Sequence, residues 1–263
     1  MRRPVITLLT DFGSRGPYPG AMKGVILGIC PDAQLADISH EIAPWSIAEA
    51  AFTLSQTWPY FPKGTVHLIV VDPGVGGARR PIVAEAGGHR FVAPDNGVLT
   101  MVFDANAPHA VREITASRYF RTPVSQTFHG RDIFAPVAAH LARGVPFARF
   151  GKRIDDYVRL GFARPEPAAD DSWTGAVLHV DRFGNVITSF ASAHWPGLDS
   201  QPFEMRLGNK IISRLASSYS EVEPGELFLI RGSAGYLEVS LNQGDAASLL
   251  GVSDGAPVRL KLQ

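Results

Sequence analysis

The 263-residue sequence predicts an α/β N-terminal domain with a largely parallel sheet, followed by a small C-terminal β-barrel domain. Three observations carry this expectation. In residues 1–163, short β-branched apolar runs alternate with longer helical patterns, as in sheets built from strand–helix crossovers. In residues 172–263, short strands succeed one another with turn signals and almost no helical period. Between them, Ala163-Arg-Pro-Glu-Pro-Ala-Ala-Asp-Asp171 is polar and proline-bearing, as connectors are.

Each element has its own local reason. Val5–Thr10 reads as a buried strand, and a Gly/Pro-rich loop leads to a helix near Ala21–Cys30. Gln34–Ile38 is a second strand. Ser46 has the chemistry of an N-cap, and Glu49 three residues later completes a capping box for a helix to about Thr57. Thr65–Val71 is β-branched and apolar and stops at Asp72-Pro73-Gly74. Pro81–Glu85 and Arg90–Val92 form a hairpin about Gly87-Gly88. Asp95-Asn96-Gly97 turns into a short helix, and Arg131–Arg143 is a further helix stopped by Gly144. The second domain offers strands at Gly175–Val180, Asn185–Phe190, Glu204–Leu207, Glu226–Ile230, Tyr236–Leu241 and Pro257–Leu262.

Composition narrows the function. Lysine and arginine total 25, aspartate and glutamate 25, and there is no basic stripe, which argues against a nucleic-acid partner. One cysteine, Cys30, excludes an intramolecular disulfide and a multi-thiolate metal site. Its apolar surroundings suggest a buried thiol. Arg2 and Arg3 precede an apolar run that Asp11 ends too early for a signal peptide. No stretch approaches the roughly 20 apolar residues that span a bilayer, so no membrane partner and a cytoplasmic location are expected.

Several motif-like strings lose their force on inspection. Asp11-Phe12-Gly13 resembles a kinase motif, but ten upstream residues cannot supply a glycine-rich loop and a β3 lysine. Asp72-Pro-Gly-Val-Gly-Gly-Ala-Arg79 fits neither common phosphate-binding glycine pattern. What remains are polar residues following strands: Asp11, Asp72 and Asp181. The carboxyl ends of strands line the ligand crevice in open α/β sheets, which makes Asp11 and Asp72 spatial neighbours in this fold. Aspartates also cap turns, and two beside glycine-rich loops favour a site over that alternative. His129 stands just before a helix, where catalytic and structural roles both fit. Arg79 and Arg80 both follow the glycine loop, and sequence does not choose between them. Trp45 fits a core or a ligand wall, and Asn185 fits a turn or a site.

Taken together, TDFG, KGVILGICP, ISHEIAPW, VVDPGVGGARRPI, APDNGVLT, TFHGRDIFAPVAAHLA, HVDRFGNVITSF and GYLEVSLNQGDAA resemble the S-adenosyl-L-methionine hydroxide adenosyltransferases. These adenosine-forming hydrolases are related to fluorinating and chlorinating enzymes acting on the same substrate. The resemblance runs from about residue 5 to the C-terminus. It implies a homotrimer, with sites between the N-terminal domain of one subunit and the C-terminal domain of the next. It also implies hydrolysis to adenosine and L-methionine without cofactor or metal.

By motif position, Asp72, Arg79 and His129 match the trio that handles the nucleophilic water. Asp11 matches the carboxylate that grips the ribose hydroxyls, and Trp45 an aromatic wall near ribose and sulfonium. Asp181 and Ser233 match the methionine end. Asn185 and the segment from Asn242 to Ala246 match the adenine side, and Tyr219 an aromatic against adenine. Two departures stand out. Gly16 occupies a position where the family often has an acidic residue, and Ala234 replaces a polar position of the halogenating relatives. The charged Asp72 in the nucleophile loop favours water over a halide. The readings left for comparison are a halide-using adenosyltransferase, a metal hydrolase built on Asp11, Asp72, His129, Asp132 and Asp181, and a non-catalytic S-adenosylmethionine or adenosine sensor.

Overall fold

A computed structural model describes residues 3–263, so Arg2 of the N-terminal arginine pair lies outside the described residues. The chain divides after Leu160 into two units. The first contains β1 (Val5–Thr10), α1 (Tyr18–Ile29), β2 (Gln34–Ser39), α2 (Ile47–Thr57), β3 (Val66–Val70), β4 (Pro81–Ala86), β5 (His89–Pro94), α3 (Thr100–Ala105), β6 (Ala110–Glu113), α4 (Ala135–Ala142) and β7 (Arg153–Ile154). Its seven strands lie in the order β2-β1-β3-β5-β4-β6-β7.

The β2-β1-β3-β5 run is parallel. Beyond it the pairings of β4 with β5 and β6, and of β6 with β7, are antiparallel. The change follows from the Gly87-Gly88 turn, whose φ values of 57° and 81° suit a tight reversal rather than a crossover. Ile6, Leu8, Val66, Leu68 and Val70 face Met22 and Ile26 of α1 and Val137 and Leu141 of α4. Leu9, Ile69 and Phe91 are buried as well, as expected where helices cover both faces of parallel strands. The capping box is modified: Ser46 Oγ accepts from Glu49 N–H at 3.4 Å, but the Glu49 carboxylate reaches past Ser46 to Ala43 N–H at 3.0 Å. The helix expected over 131–143 begins with a π-helical turn, Gly130–Phe134, before α4. Cys30 is buried beside this core.

The second unit is almost all β. It holds β8 (Glu166–Ala168), β9 (Ser172–Val180), β10 (Val186–Ala191), β11 (Phe203–Leu207), β12 (Lys210–Ile212), β13 (Leu215–Ala216), β14 (Leu227–Arg231), β15 (Tyr236–Leu241) and β16 (Pro257–Leu262). They order as β12-β11-β16-β9-β10-β15-β14-β13, with β8 pairing to β9. The proline-bearing connector therefore already carries a short strand. β12 comes alongside β14, which curls the sheet into a half-barrel. Val177, Val186, Phe190, Met205, Leu229, Leu237, Val239, Val258 and Leu260 fill its inside. One short helix, α5 (Ala246–Leu250), is capped by Asp245, whose carboxylate accepts from Ser248 N–H at 2.8 Å. Among the described residues no helix is long and apolar enough to cross a membrane.

Candidate functional site

In the first unit, β1 and β3 are parallel neighbours in which Thr10 pairs with Val70. Asp11 and Asp72 follow directly from those paired ends. β2 lies on the other side of β1, so the crevice between β1 and β3 is where the strand order switches direction, the usual ligand position in such sheets.

The loop after β3 folds back through Gly74-Val75-Gly76-Gly77 and returns Arg79 to Asp72. Gly76 has φ of 75°, and a Cβ there would sit 2.3 Å from the Gln126 carbonyl oxygen. Only glycine allows this approach. Arg79 Nε donates to both Asp72 oxygens at 2.9 and 3.0 Å, and its Nη2 also donates to Oδ2. The same Nη2 donates to His129 Nδ1 at 2.8 Å. The guanidinium lies over the Phe134 ring at 5.2 Å, so the π-helical turn that carries His129 also supports Arg79. Asp72, Arg79 and His129 are thus one hydrogen-bonded chain.

A guanidinium has no acceptor, so His129 Nδ1 must present its lone pair and the ring proton must sit on Nε2. Burial, first, and the Arg79 charge, second, hold His129 below the ordinary imidazole range, against the opposing pull of Asp72 and Asp132. The neutral ring agrees with the geometry. Arg80 is turned elsewhere: it donates to Asp95 at 2.9 and 2.6 Å and to Asp156 at 2.9 Å. Asp132 is likewise engaged, by Arg121, Arg131 and the Ser125 N–H. Among the described residues no three His, Cys, Asp or Glu groups are placed to hold a metal ion.

Asp11 Oδ2 accepts the Trp45 N–H at 2.9 Å. Trp45 has φ of 65°, unusual for a bulky residue, and the residue is 72% exposed. It therefore belongs to the surface beside Asp11 and not to the core. Phe12, Tyr18 and Phe128 form an aromatic group with centroids 5.1 to 5.9 Å apart behind the same loop.

The second unit has a cavity of about 590 Å³ that gathers Asp181, Asn185, Tyr219 and Ser233. Asp181 Oδ1 accepts from the Phe183 and Asn185 N–H groups at 2.8 and 2.9 Å, and Oδ2 accepts from Asn185 Nδ2 at 2.9 Å. This turn requires Gly184, where a Cβ would meet Asp245 Oδ1 at 2.2 Å. Ala247 N–H donates to Gly184 O, so Ala246 and α5 are held against the turn. Ala246 is fully buried, and neither it nor Asn242 lines the cavity. Asn242 instead donates through Nδ2 to Val222 O at 2.6 Å.

Sequence reading did not nominate Phe183 or Glu238, which both line this cavity. Phe183 is 76% exposed, a signal visible only in the structure. Glu238 could have been found from β15, where alternation sets it opposite the core residues Leu237 and Val239.

An α/β unit with a polar crevice, followed by a curled β-unit with its own cavity, defines a two-domain class. The family model for the SAM hydroxide adenosyltransferase N-terminal domain matches residues 6–151, and that for the C-terminal domain matches residues 175–259. The chain belongs to the SAM hydroxide adenosyltransferase family. It is 40% identical to the (R)-S-adenosyl-L-methionine hydrolase of Salinispora tropica, over 98% of this chain and 97% of that protein. The solved structure of an uncharacterised conserved protein from Thermotoga maritima superposes with a TM-score of 0.91 at 39% identity, covering 97% and 99% of the two chains. A fluorinase of Nocardia brasiliensis is less similar, 28% identical over 99% of this chain and 98% of that one.

Proposed function

We propose that this protein hydrolyses S-adenosyl-L-methionine to adenosine and L-methionine, water displacing the sulfonium at ribose C5′. The new C5′–O bond forms as the C5′–S bond breaks, the sulfur keeps the electron pair, and one water proton is released. The sulfonium leaves without protonation, so catalysis consists of holding the electrophile and orienting one water. Such positioning is worth on the order of 7–11 kcal/mol.

The observation that carries this reading is the Asp72–Arg79–His129 chain. Asp72 accepts one water proton, and His129 Nε2–H donates to the water oxygen. With Nδ1 engaged by Arg79, the imidazole serves to orient the water and not to accept its proton. Arg79 stabilises developing hydroxide by its fixed charge. Asp11 accepts the ribose hydroxyls, and the open face of Trp45 suits a cationic sulfonium, an interaction of about 0.5–2 kcal/mol. With Arg79 balancing one of the two carboxylates, this half-site carries a formal charge that favours a cation and disfavours a free halide.

In the second unit, Asn185 and Tyr219 serve the adenine side and Asp181 and Ser233 the methionine end, while Asn242, bonded to Val222 O, and the buried Ala246 support the adenine side from behind the cavity wall. The division of work between domains 1–163 and 172–263 belongs to the same reading. So does a cytoplasmic homotrimer in which the two half-sites meet across subunits, with neither nucleic acid nor membrane as partner.

Incubation with S-adenosyl-L-methionine, followed by chromatography, tests the reaction. Adenosine and methionine in equal amounts are expected, undiminished by a strong chelator. Conversion that requires added chloride or fluoride and yields a 5′-halo nucleoside would replace hydrolysis with halogenation. Binding without conversion would leave a sensor.

A further inference from the structure

The hydroxyl of Thr10, the imidazole of His40 and the carboxylate of Asp37 form a line beside Asp11 that the reaction as proposed does not use. A bulge in β2 shifts its pairing with β1 after Leu8 and Asp37, so that His40 rather than Ser39 comes level with Thr10. His40 Nε2 lies 3.1 Å from Asp37 Oδ1, and Lys23 of α1 donates to Asp37 Oδ2 at 2.6 Å. That carboxylate keeps the ring proton on Nε2, so His40 Nδ1 accepts from the Thr10 hydroxyl, 2.8 Å away. Thr10 Oγ1 in turn accepts the Phe12 N–H at 3.3 Å, and the His40 carbonyl accepts the Gly13 N–H at 2.7 Å. Hydroxyl, imidazole and carboxylate in this order are also the parts of an activated nucleophile. Thr10 is fully buried, however, which keeps its oxygen from any substrate atom. What the line reaches is the loop.

We propose that His40 is a positioning residue for Asp11, fixing its carboxylate for the ribose hydroxyls; this rests on the ribose role given to Asp11 above. The two fastenings straddle Asp11. The His40 side chain holds Thr10, the residue before it, and the His40 carbonyl holds Gly13, two residues after it. The Trp45 N–H engages only Oδ2 of Asp11, so the direction in which the whole carboxylate points is set by the backbone on either side. A carboxylate that must accept from two hydroxyls at once gains most from being held in place, because the cost of ordering it is then met before the ligand arrives. The His40 side chain is only 9% exposed, which shields these bonds from competing water.

Calorimetry of adenosine and 2′-deoxyadenosine binding to the full chain tests this, since the second compound lacks one of the two hydroxyls that Asp11 accepts. Wild type should prefer adenosine by about 10- to 100-fold in Kd. His40→Leu, which removes both ring nitrogens, should cut that preference to about 3-fold by weakening adenosine more than 2′-deoxyadenosine. His40→Asn, whose amide oxygen stands in for Nδ1 toward Thr10, should keep most of it. Thr10→Val removes the same bond from the other side at nearly constant volume; it should reproduce the leucine variant and stands in should that variant not fold. In an Asp11→Asn background, adding His40→Leu should change adenosine affinity by less than about twofold, because the effect passes through Asp11. Equal weakening of both nucleosides, an unchanged preference, or full additivity with Asp11→Asn would each overturn the role of His40. A wild type that binds the two nucleosides equally, or neither, would overturn the ribose role of Asp11 itself and that of His40 with it.

Discussion

A guanidinium can donate five hydrogen bonds and accept none, and this orders the chemistry around Arg79. Lysine keeps the charge but cannot fork to Asp72 while also reaching His129. Arg79→Lys should therefore lower kcat for adenosine formation by about 100-fold with a much smaller change in KM, as read by steady-state kinetics. Arg80 is the internal control. Arg80→Ala strands the buried Asp95 carboxylate and should cost about 3 kcal/mol in urea unfolding, the low end for such pairs because Arg80 is partly exposed. It should leave kcat within a few-fold of wild type. Protonating His129 would displace the Arg79 hydrogen bond from Nδ1. Since burial and Arg79 hold that imidazole below 6.5, kcat/KM should stay level from neutral pH down past 6.5 and fall only below it. An acid limb above pH 6.5 would count against the role given to His129.

The loop between β3 and β4 works as an element because Gly76 lets it touch the segment before His129. Gly76→Ala would place a Cβ against the Gln126 carbonyl oxygen in a left-handed backbone. A destabilisation of about 2 kcal/mol and a kcat loss beyond 10-fold are expected together, measured by unfolding and turnover. The π-helical turn at Gly130–Phe134 is the second such device. It supplies His129 at its start and Phe134 under Arg79, and the helical pattern in the sequence did not distinguish it from an ordinary α-helix. β6 and β7 were also unread, since strands of four and two residues at a sheet edge carry too little alternation to register.

At the scale of the molecule, the first sheet buries His67 between Thr7 and His89, bonded at 2.8 and 3.1 Å. Burial, chiefly, and the neighbouring His89 lower its pKa from 6.5 to about 3. The unfolded chain therefore takes up a proton below pH 6.5 that the native chain refuses until about pH 3. The stability this group contributes is present above pH 6.5 and is lost as pH falls through that window, at about 1.4 kcal/mol per pH unit. Urea unfolding of wild type and His67→Gln should show it: the variant is less stable at pH 7 but has the flatter dependence between pH 6 and 4. Sedimentation should give a trimer on the proposed assembly, and a monomer with full activity would refute the shared site.

Val5–Thr10, Tyr236–Leu241 and Pro257–Leu262 formed as strands at the boundaries their residues announce, because apolar period and flanking turn residues are local properties. The sequence alone thereby determined two units of different class, and its motif blocks determined the family. Tertiary structure decided which of two adjacent arginines meets Asp72, which ring nitrogen of His129 carries its proton, and where Glu238 stands. Those choices depend on distances between residues far apart in the chain: His129 lies 50 positions from Arg79, and Tyr219 lies 19 from Glu238. No local pattern encodes such separations, and packing alone brings those groups within hydrogen-bond reach.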